Sequence, residues 1–270
     1  MNNKIINIII FLLFVIAIVC GYLFATEFQT AQEEMAEYAI LKHQFTSVNH
    51  APNSDETDEP INEPDNIIPP LWAGLPYVEV DFDALLQINS NTIGWVAIPN
   101  TTISYPVVQT TNNSRYINTS FSGNHSRAGA LFADMNNDVQ SLDTNTIIYG
   151  HNMGTGRQDM FSSLLRYKDY GYFLNNRFIQ FDTIYQRHGW WKVFAVIEYD
   201  VRSTDFQFLQ IRFYDDDDFM DWIDGIRERS MHNNNLEITP QCHILTLSTC
   251  DRSNYGRNGR LLILAVKINE

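Results

Sequence analysis

The chain has 270 residues, with 18 Lys+Arg against 32 Asp+Glu and a formal charge of −14. An anionic chain offers no cationic surface for a phosphate backbone, which argues against nucleic acid as the main partner. At 44% hydrophobic and 13% aromatic residues it has material for a core, and three cysteines exclude a disulfide scaffold while leaving at least one thiol unpaired.

From Ile5 to Ala25 the sequence is apolar and uncharged, with Asn7 the one strongly polar interruption. At about 1.5 Å per residue this length crosses a hydrocarbon layer of about 30 Å. The run is too long for a cleavable signal peptide, and its exit (Gly21 to Thr26) offers no good small-x-small site. Residues 1–26 therefore read as a short cytoplasmic start and an uncleaved signal-anchor. Lys4 precedes the run, whereas Glu27, Glu33, Glu34 and Glu37 follow it. The positive-inside rule then predicts a single-pass protein of the cell membrane, N-terminus in the cytoplasm and working domain outside.

Residues 27–50 carry Phe28, Ala31, Met35, Tyr38, Leu41 and Phe45 at three- and four-residue spacing, the stripe of an amphipathic helix or stalk. Residues 51–70 hold six acids, no base and five prolines. That composition cannot bury enough apolar surface to fold and reads as a linker. Residues 71–270 fit one domain. Asp81 is placed as the N-cap of a short helix bearing Phe82, Leu85, Leu86 and Ile88.

Eight β-rich runs follow, at Thr92–Ile98, Pro106–Gln109, Ala130–Ala133, Thr144–Gly150, Phe178–Thr183, Trp190–Val201, His243–Thr249 and Arg260–Ile268. Eight short strands imply a mainly β barrel or sandwich. Helical spacing interrupts them at Met160, Phe161, Leu164 and Leu165, and again at Phe219, Trp222, Ile223 and Ile226. The latter set follows Asp215 to Asp218, acids that complement a helix N-terminus.

Cys20 lies in the apolar run. Cys242 and Cys250 flank a strand that would hold them roughly 26 Å apart, far beyond disulfide reach, so both thiols are expected free. Cys242 reads as a small core residue. Cys250 ends an apolar strand and is followed by Asp251, Arg252, Ser253 and Asn254, with Arg257 and Arg260 close behind. A thiol at such a boundary is accessible, and cations favour its nucleophilic thiolate form. Among seven histidines, His151 stands out at another strand end, between Gly150 and the segment Asn152-Met153-Gly154. No H-x-x-x-H, C-x-x-C or carboxylate–His clustering appears, so neither a metal nor a cofactor is expected.

The run Thr246-Leu247-Ser248-Thr249-Cys250 resembles the TLxTC signature of sortases, the cysteine transpeptidases that attach proteins to Gram-positive cell walls. Arg260-Leu261-Leu262-Ile263 is similar to the strand carrying that family's arginine, and Tyr149-Gly150-His151-Asn152 to the motif carrying its histidine. The serine in TLSTC, the segment Thr92 to Pro99, and the helix-bearing insertion before His243 resemble class B. The resemblance covers about residues 81 to 268. It implies a closed eight-stranded sortase-type β-barrel with peripheral helices, preceded by the transmembrane helix. It also implies that Cys250 is the nucleophile, His151 the general acid and base, and Arg260 the stabiliser of oxyanion or substrate. By the two-residue period Ser248 shares a strand face with Cys250 and is placed to bind substrate; Tyr149 and Asn113 resemble class B groove residues by motif position, and Asp251 resembles the acidic residue that follows the nucleophile.

The chemistry suits these assignments. A thiolate attacks a peptide carbonyl and splits one acyl transfer into two easier ones. An imidazole protonates the leaving amine and later deprotonates the incoming one, and a guanidinium offers fixed donors to an oxyanion. Cleavage is expected after Thr in an NPxTx-like sorting signal of secreted proteins, with transfer to an amine of a peptidoglycan precursor. Pilin polymerisation, simple hydrolysis by a cysteine peptidase and a non-catalytic surface module remain the alternatives at this point.

Overall fold

The computed structural model describes residues 3–49, 72, 74–154, 156–186, 188–232, 234 and 236–268. The acidic linker at 51–70 lies outside the described residues. The chain divides into two units, Met1–Ile40 and Leu41–Glu270.

Helix α1 (Asn3–Phe45) runs through residues 26 and 27 without interruption. Its N-terminal part is long and apolar enough to cross a membrane, and Ile8, Phe11, Phe14 and Phe24 are exposed along it. A helix that is apolar on all sides and buried on none is built for an apolar surrounding.

The second unit begins with the last turn of α1 and strand β1 (Thr46–Asn49), which pairs antiparallel with β2 (Tyr77–Val80). The side chain of Gln180, itself fully buried, treats β2 as a strand partner. Its amide oxygen accepts from Val78 N at 2.9 Å and its amide nitrogen donates to Val78 O at 2.6 Å. Helix α2 (Phe82–Ile88) starts where the sequence places it, with the Asp81 carboxylate accepting from Ala84 N at 3.0 Å.

Eight strands then close a barrel: β3 (Thr92–Ala97), β4 (Ser104–Val108), β5 (Leu131–Ala133), β6 (Asn145–Tyr149), β7 (Phe178–Thr183), β8 (Trp190–Asp200), β9 (Ile244–Cys250) and β10 (Gly259–Lys267). The order around the barrel is β10-β8-β7-β3-β4-β5-β6-β9. Each strand falls on one of the eight β-rich runs, shifted by no more than two residues at either end. Two neighbours are parallel, β4 with β5 and β6 with β9. Gly94 is required in β3 because a Cβ there would lie 2.4 Å from Asp182 O on β7.

The Met160-to-Leu165 pattern becomes a 3-10 turn (Ser162–Lys168) followed by α3 (Tyr170–Asn175), whose N-cap Asp169 accepts from Tyr172 N. Between β8 and β9, α4 (Asp216–Arg229) is capped by Asp215 and opens on Asp216, Asp217 and Asp218. Its apolar face, Phe219, Trp222, Ile223 and Ile226, is buried against Phe194, Ile197, Leu262 and Leu264 of β8 and β10. Burial of side chains this size is worth about 1.5–3 kcal/mol each. With one face lining the barrel and the other under α4, β8 and β10 read as near-continuous apolar runs. Cys242 packs half-buried against the same cluster.

Candidate active site

The nucleophile candidate is set by two ladders. Cys250 is the last residue of β9, half-buried, and its register partner on β10 is Arg260, whose own partner across β8 is Tyr199. On the other side of β9, parallel β6 brings Tyr149 opposite Ser248. The chain leaves β6 through Gly150, so His151 emerges beside the end of β9. This junction is tied three times: Gly150 N donates to Ser248 O at 3.1 Å, Thr249 Oγ1 to Gly150 O at 2.8 Å, and Asn152 Nδ2 to Cys250 O at 2.9 Å. No Cβ fits at position 150, where it would meet Leu131 Cδ2 at 2.4 Å and Phe161 Cδ2 at 2.6 Å.

The loop after His151 is clamped at its base by Phe161 N donating to His151 O at 2.9 Å and Met153 N to Ser162 Oγ at 2.8 Å. The His151 imidazole places Nε2 2.7 Å from Ile117 O. A carbonyl oxygen only accepts, so Nε2 carries the hydrogen and Nδ1 is the ring nitrogen left for proton exchange. Arg260 uses Nη1 to donate to Gly259 O at 2.9 Å and Arg257 O at 3.2 Å. Its Nε and Nη2 make no hydrogen bond among the described residues, so half the fork is open to a ligand. Arg257 itself sits exposed in the 3-10 turn Gly256–Asn258. The three cysteines are all free, as expected, and no metal-binding cluster occurs among the described residues.

Of the four residues assigned to substrate, Ser248 lies in the nucleophile's own strand, buried, with its hydroxyl unbonded among the described residues. Tyr149 and Asn113 meet on a residue that sequence reasoning missed. Asp134 Oδ2 accepts from Tyr149 Oη at 2.9 Å and from Asn113 Nδ2 at 2.8 Å. Burial, with the Asp134 carboxylate adding to it, pushes the Tyr149 phenol far above its ordinary pKa and keeps it a donor. Asp251 follows the nucleophile directly, but its carboxylate is buried in an ion pair with Lys168 and accepts from Ser253 Oγ at 2.7 Å. Lys168 Nζ also donates to Glu198 at 2.9 Å. Burial opposes the charge on Asp251, yet Lys168 and Ser253 outweigh it and hold the carboxyl below its ordinary range. Asp134, Lys168 and Asn152 carry no local signature, except that Asn152 stands beside His151 in the motif. Beyond His151, Asn152 and Asp251 opens a cleft of about 900 Å³.

A closed β-barrel that sets a free thiol beside a guanidinium, with an imidazole leaving the neighbouring strand, is the framework of a cysteine acyl-transfer enzyme. Residues 96–268 match the sortase domain family. The chain is 32% identical to sortase B of Listeria monocytogenes over 179 residues, 66% of this chain and 70% of that one. It is 26% identical to sortase B of Staphylococcus aureus over 266 residues, 98% of this chain and 97% of that one. The solved S. aureus sortase B–substrate complex superposes with a TM-score of 0.64 at 29% identity, covering 70% of this chain and 84% of that chain. The chain belongs to the sortase family of cysteine transpeptidases, in its class B.

Proposed function

We propose that this chain is held in the cell membrane by α1, with its N-terminus in the cytoplasm and the barrel outside, and that it attaches secreted proteins to the cell wall. Cys250 Sγ attacks the carbonyl of the threonine in an NPxTx-like sorting signal. The open donors of Arg260 take the negative charge that develops on the carbonyl oxygen, and His151 passes a proton to the leaving amine as the C–N bond breaks. A thioester on Cys250 remains. An amine of a peptidoglycan precursor then attacks it: a C–N bond forms, the C–S bond breaks, and the amine proton goes to His151. Tyr149 and Asn113, fixed by Asp134, and Ser248 beside the nucleophile line the approach of the signal peptide.

The observation that carries this reading is the direct cross-strand pairing of Cys250 with Arg260 beside the β6 exit that delivers His151. Binding alone has no use for these three groups together, which sets aside a surface module. Mass spectrometry of the protein incubated with candidate signal peptides should show an acyl adduct on Cys250, absent in Cys250→Ala. Added amine should then convert the adduct into ligated peptide. A fully active Cys250→Ala variant would sink the mechanism, and an acyl group that goes only to water, whatever amine is supplied, would leave a hydrolase.

A further inference from the structure

Asp134 follows β5 directly and is buried, its own N donating to Ile147 O at 2.9 Å. Its carboxylate accepts from Asn136 N at 2.9 Å and Asn136 Nδ2 at 3.1 Å through Oδ1, and from Tyr149 Oη at 2.9 Å and Asn113 Nδ2 at 2.8 Å through Oδ2. No lysine or arginine pairs with it among the described residues. A carboxylate is a costly group to bury, and a position that served packing alone would suit an apolar side chain. Every partner here donates, so the carboxylate works purely as an acceptor.

That one-sidedness dictates how both neighbours are turned. Tyr149 has a single hydroxyl hydrogen and gives it to Asp134, so its oxygen keeps only lone pairs for anything else. Asn113 is fixed from both ends of its amide: Oδ1 accepts from Met135 N at 2.8 Å, and Nδ2 gives one hydrogen to Asp134, leaving its other N–H unused among the described residues. A flipped amide would set oxygen against the carboxylate and nitrogen against the Met135 N–H. Both side chains are half-buried. Together they offer one acceptor and one donor, the complement of a peptide group with its N–H and C=O.

We propose that Asp134 is a positioning residue for recognition of the sorting signal: by accepting from both neighbours it sets the polarity, acceptor at Tyr149 and donor at Asn113, that the wall of the site shows to the peptide backbone. The inference rests on the reading above that Tyr149 and Asn113 line the approach of the signal peptide. The three residues come from separate segments, the loop after β4, the end of β5 and the end of β6. One buried carboxylate thus orients two walls of the site without touching the peptide itself.

The test uses the full-length protein in detergent and an NPxTx-type peptide that acylates it. In Asp134→Asn an amide nitrogen takes the place of one acceptor, and kcat/KM for formation of the acyl adduct is expected to fall about tenfold or more, carried by KM. Alkylation of Cys250 by iodoacetamide, followed by mass spectrometry, reads the nucleophile without the peptide and is expected to keep its rate. Normal kcat/KM in Asp134→Asn, or alkylation that falls in step with it, overturns the inference. The exchange Asp134→Asn/Asn113→Asp separates polarity from packing. It restores a hydrogen bond between the two positions, with the amide now at 134 and the carboxylate at 113, but it removes the outward N–H and turns the Tyr149 hydroxyl to donate outward. The melting temperature is therefore expected to recover while kcat/KM stays low, and recovery of both overturns the inference. Where the melting temperature does not recover, KM and alkylation in Asp134→Asn decide alone. Unaltered protein that forms no adduct with any such peptide refutes the transpeptidase reading and this inference with it, whereas normal adduct formation in both the unaltered protein and Asp134→Asn refutes the inference alone.

Discussion

Asp251 stands next to the nucleophile, yet its carboxylate turns away to Lys168, which also reaches Glu198 and Ser253. Since Asp251 N donates to Gly259 O at 3.0 Å, the pair braces the turn that joins Cys250 to Arg260. Its role is to hold position, and a buried charge that loses its partner is costly. Lys168→Met is expected to lower stability by about 3–5 kcal/mol, read from denaturant midpoints. The pH dependence has a definite sign. The folded-state pKa of Asp251 is depressed, so its contribution is present above the ordinary Asp value of about 3.9 and is lost as pH falls through the folded value. Part of the acid lability of the unaltered protein below about pH 4 should therefore vanish in Lys168→Met, and an identical acid profile in both would count against the pair. Asp251 is legible in the sequence, but its partner Lys168 is not, because the two are far apart along the chain, and the same separation hides Asp134 from its partner Asn113. The strand-end positions of Cys250, His151 and Arg260 were legible, since each sits where an apolar run meets polar residues.

At the scale of elements, the eight barrel strands could be read because their faces are covered, which writes near-continuous apolar runs into β8 and β10. Strand β1 could not. Thr46–Asn49 is a short, largely exposed segment, and its pairing with β2 depends on a partner about 30 residues away and on Gln180. The 3-10 turn before α3 carried the apolar spacing of a helix, and that spacing does not distinguish a tight turn from an α-helical one over so few residues. The β6 exit is the element on which the site depends most. Gly150→Ala would press a methyl group into Leu131 and Phe161, both buried. Overpacking of this kind costs about 1–3 kcal/mol. A lowered melting temperature is expected together with a fall in kcat, because relief of the clash displaces His151. Unchanged values for both would show that the junction yields without consequence.

At the scale of the whole molecule, the long apolar helix near the N-terminus poses the question of topology. If its N-terminus faces the cytoplasm, a membrane-impermeant maleimide should label Cys250 on intact cells carrying the Cys20→Ser, Cys242→Ser protein. Labelling only after lysis would reverse the topology.

The parallel contact between β6 and β9 also gives the enzyme a clock. Asn152 and Cys250 are 98 residues apart in the chain, and the strand that bears the arginine is the last to be made and lies between β8 and β9 in the barrel. Pairings of such separation form late, after the local ones. On the proposed mechanism, a chain whose last two strands have not docked holds His151 without Cys250 or Arg260 in place, and is chemically inert.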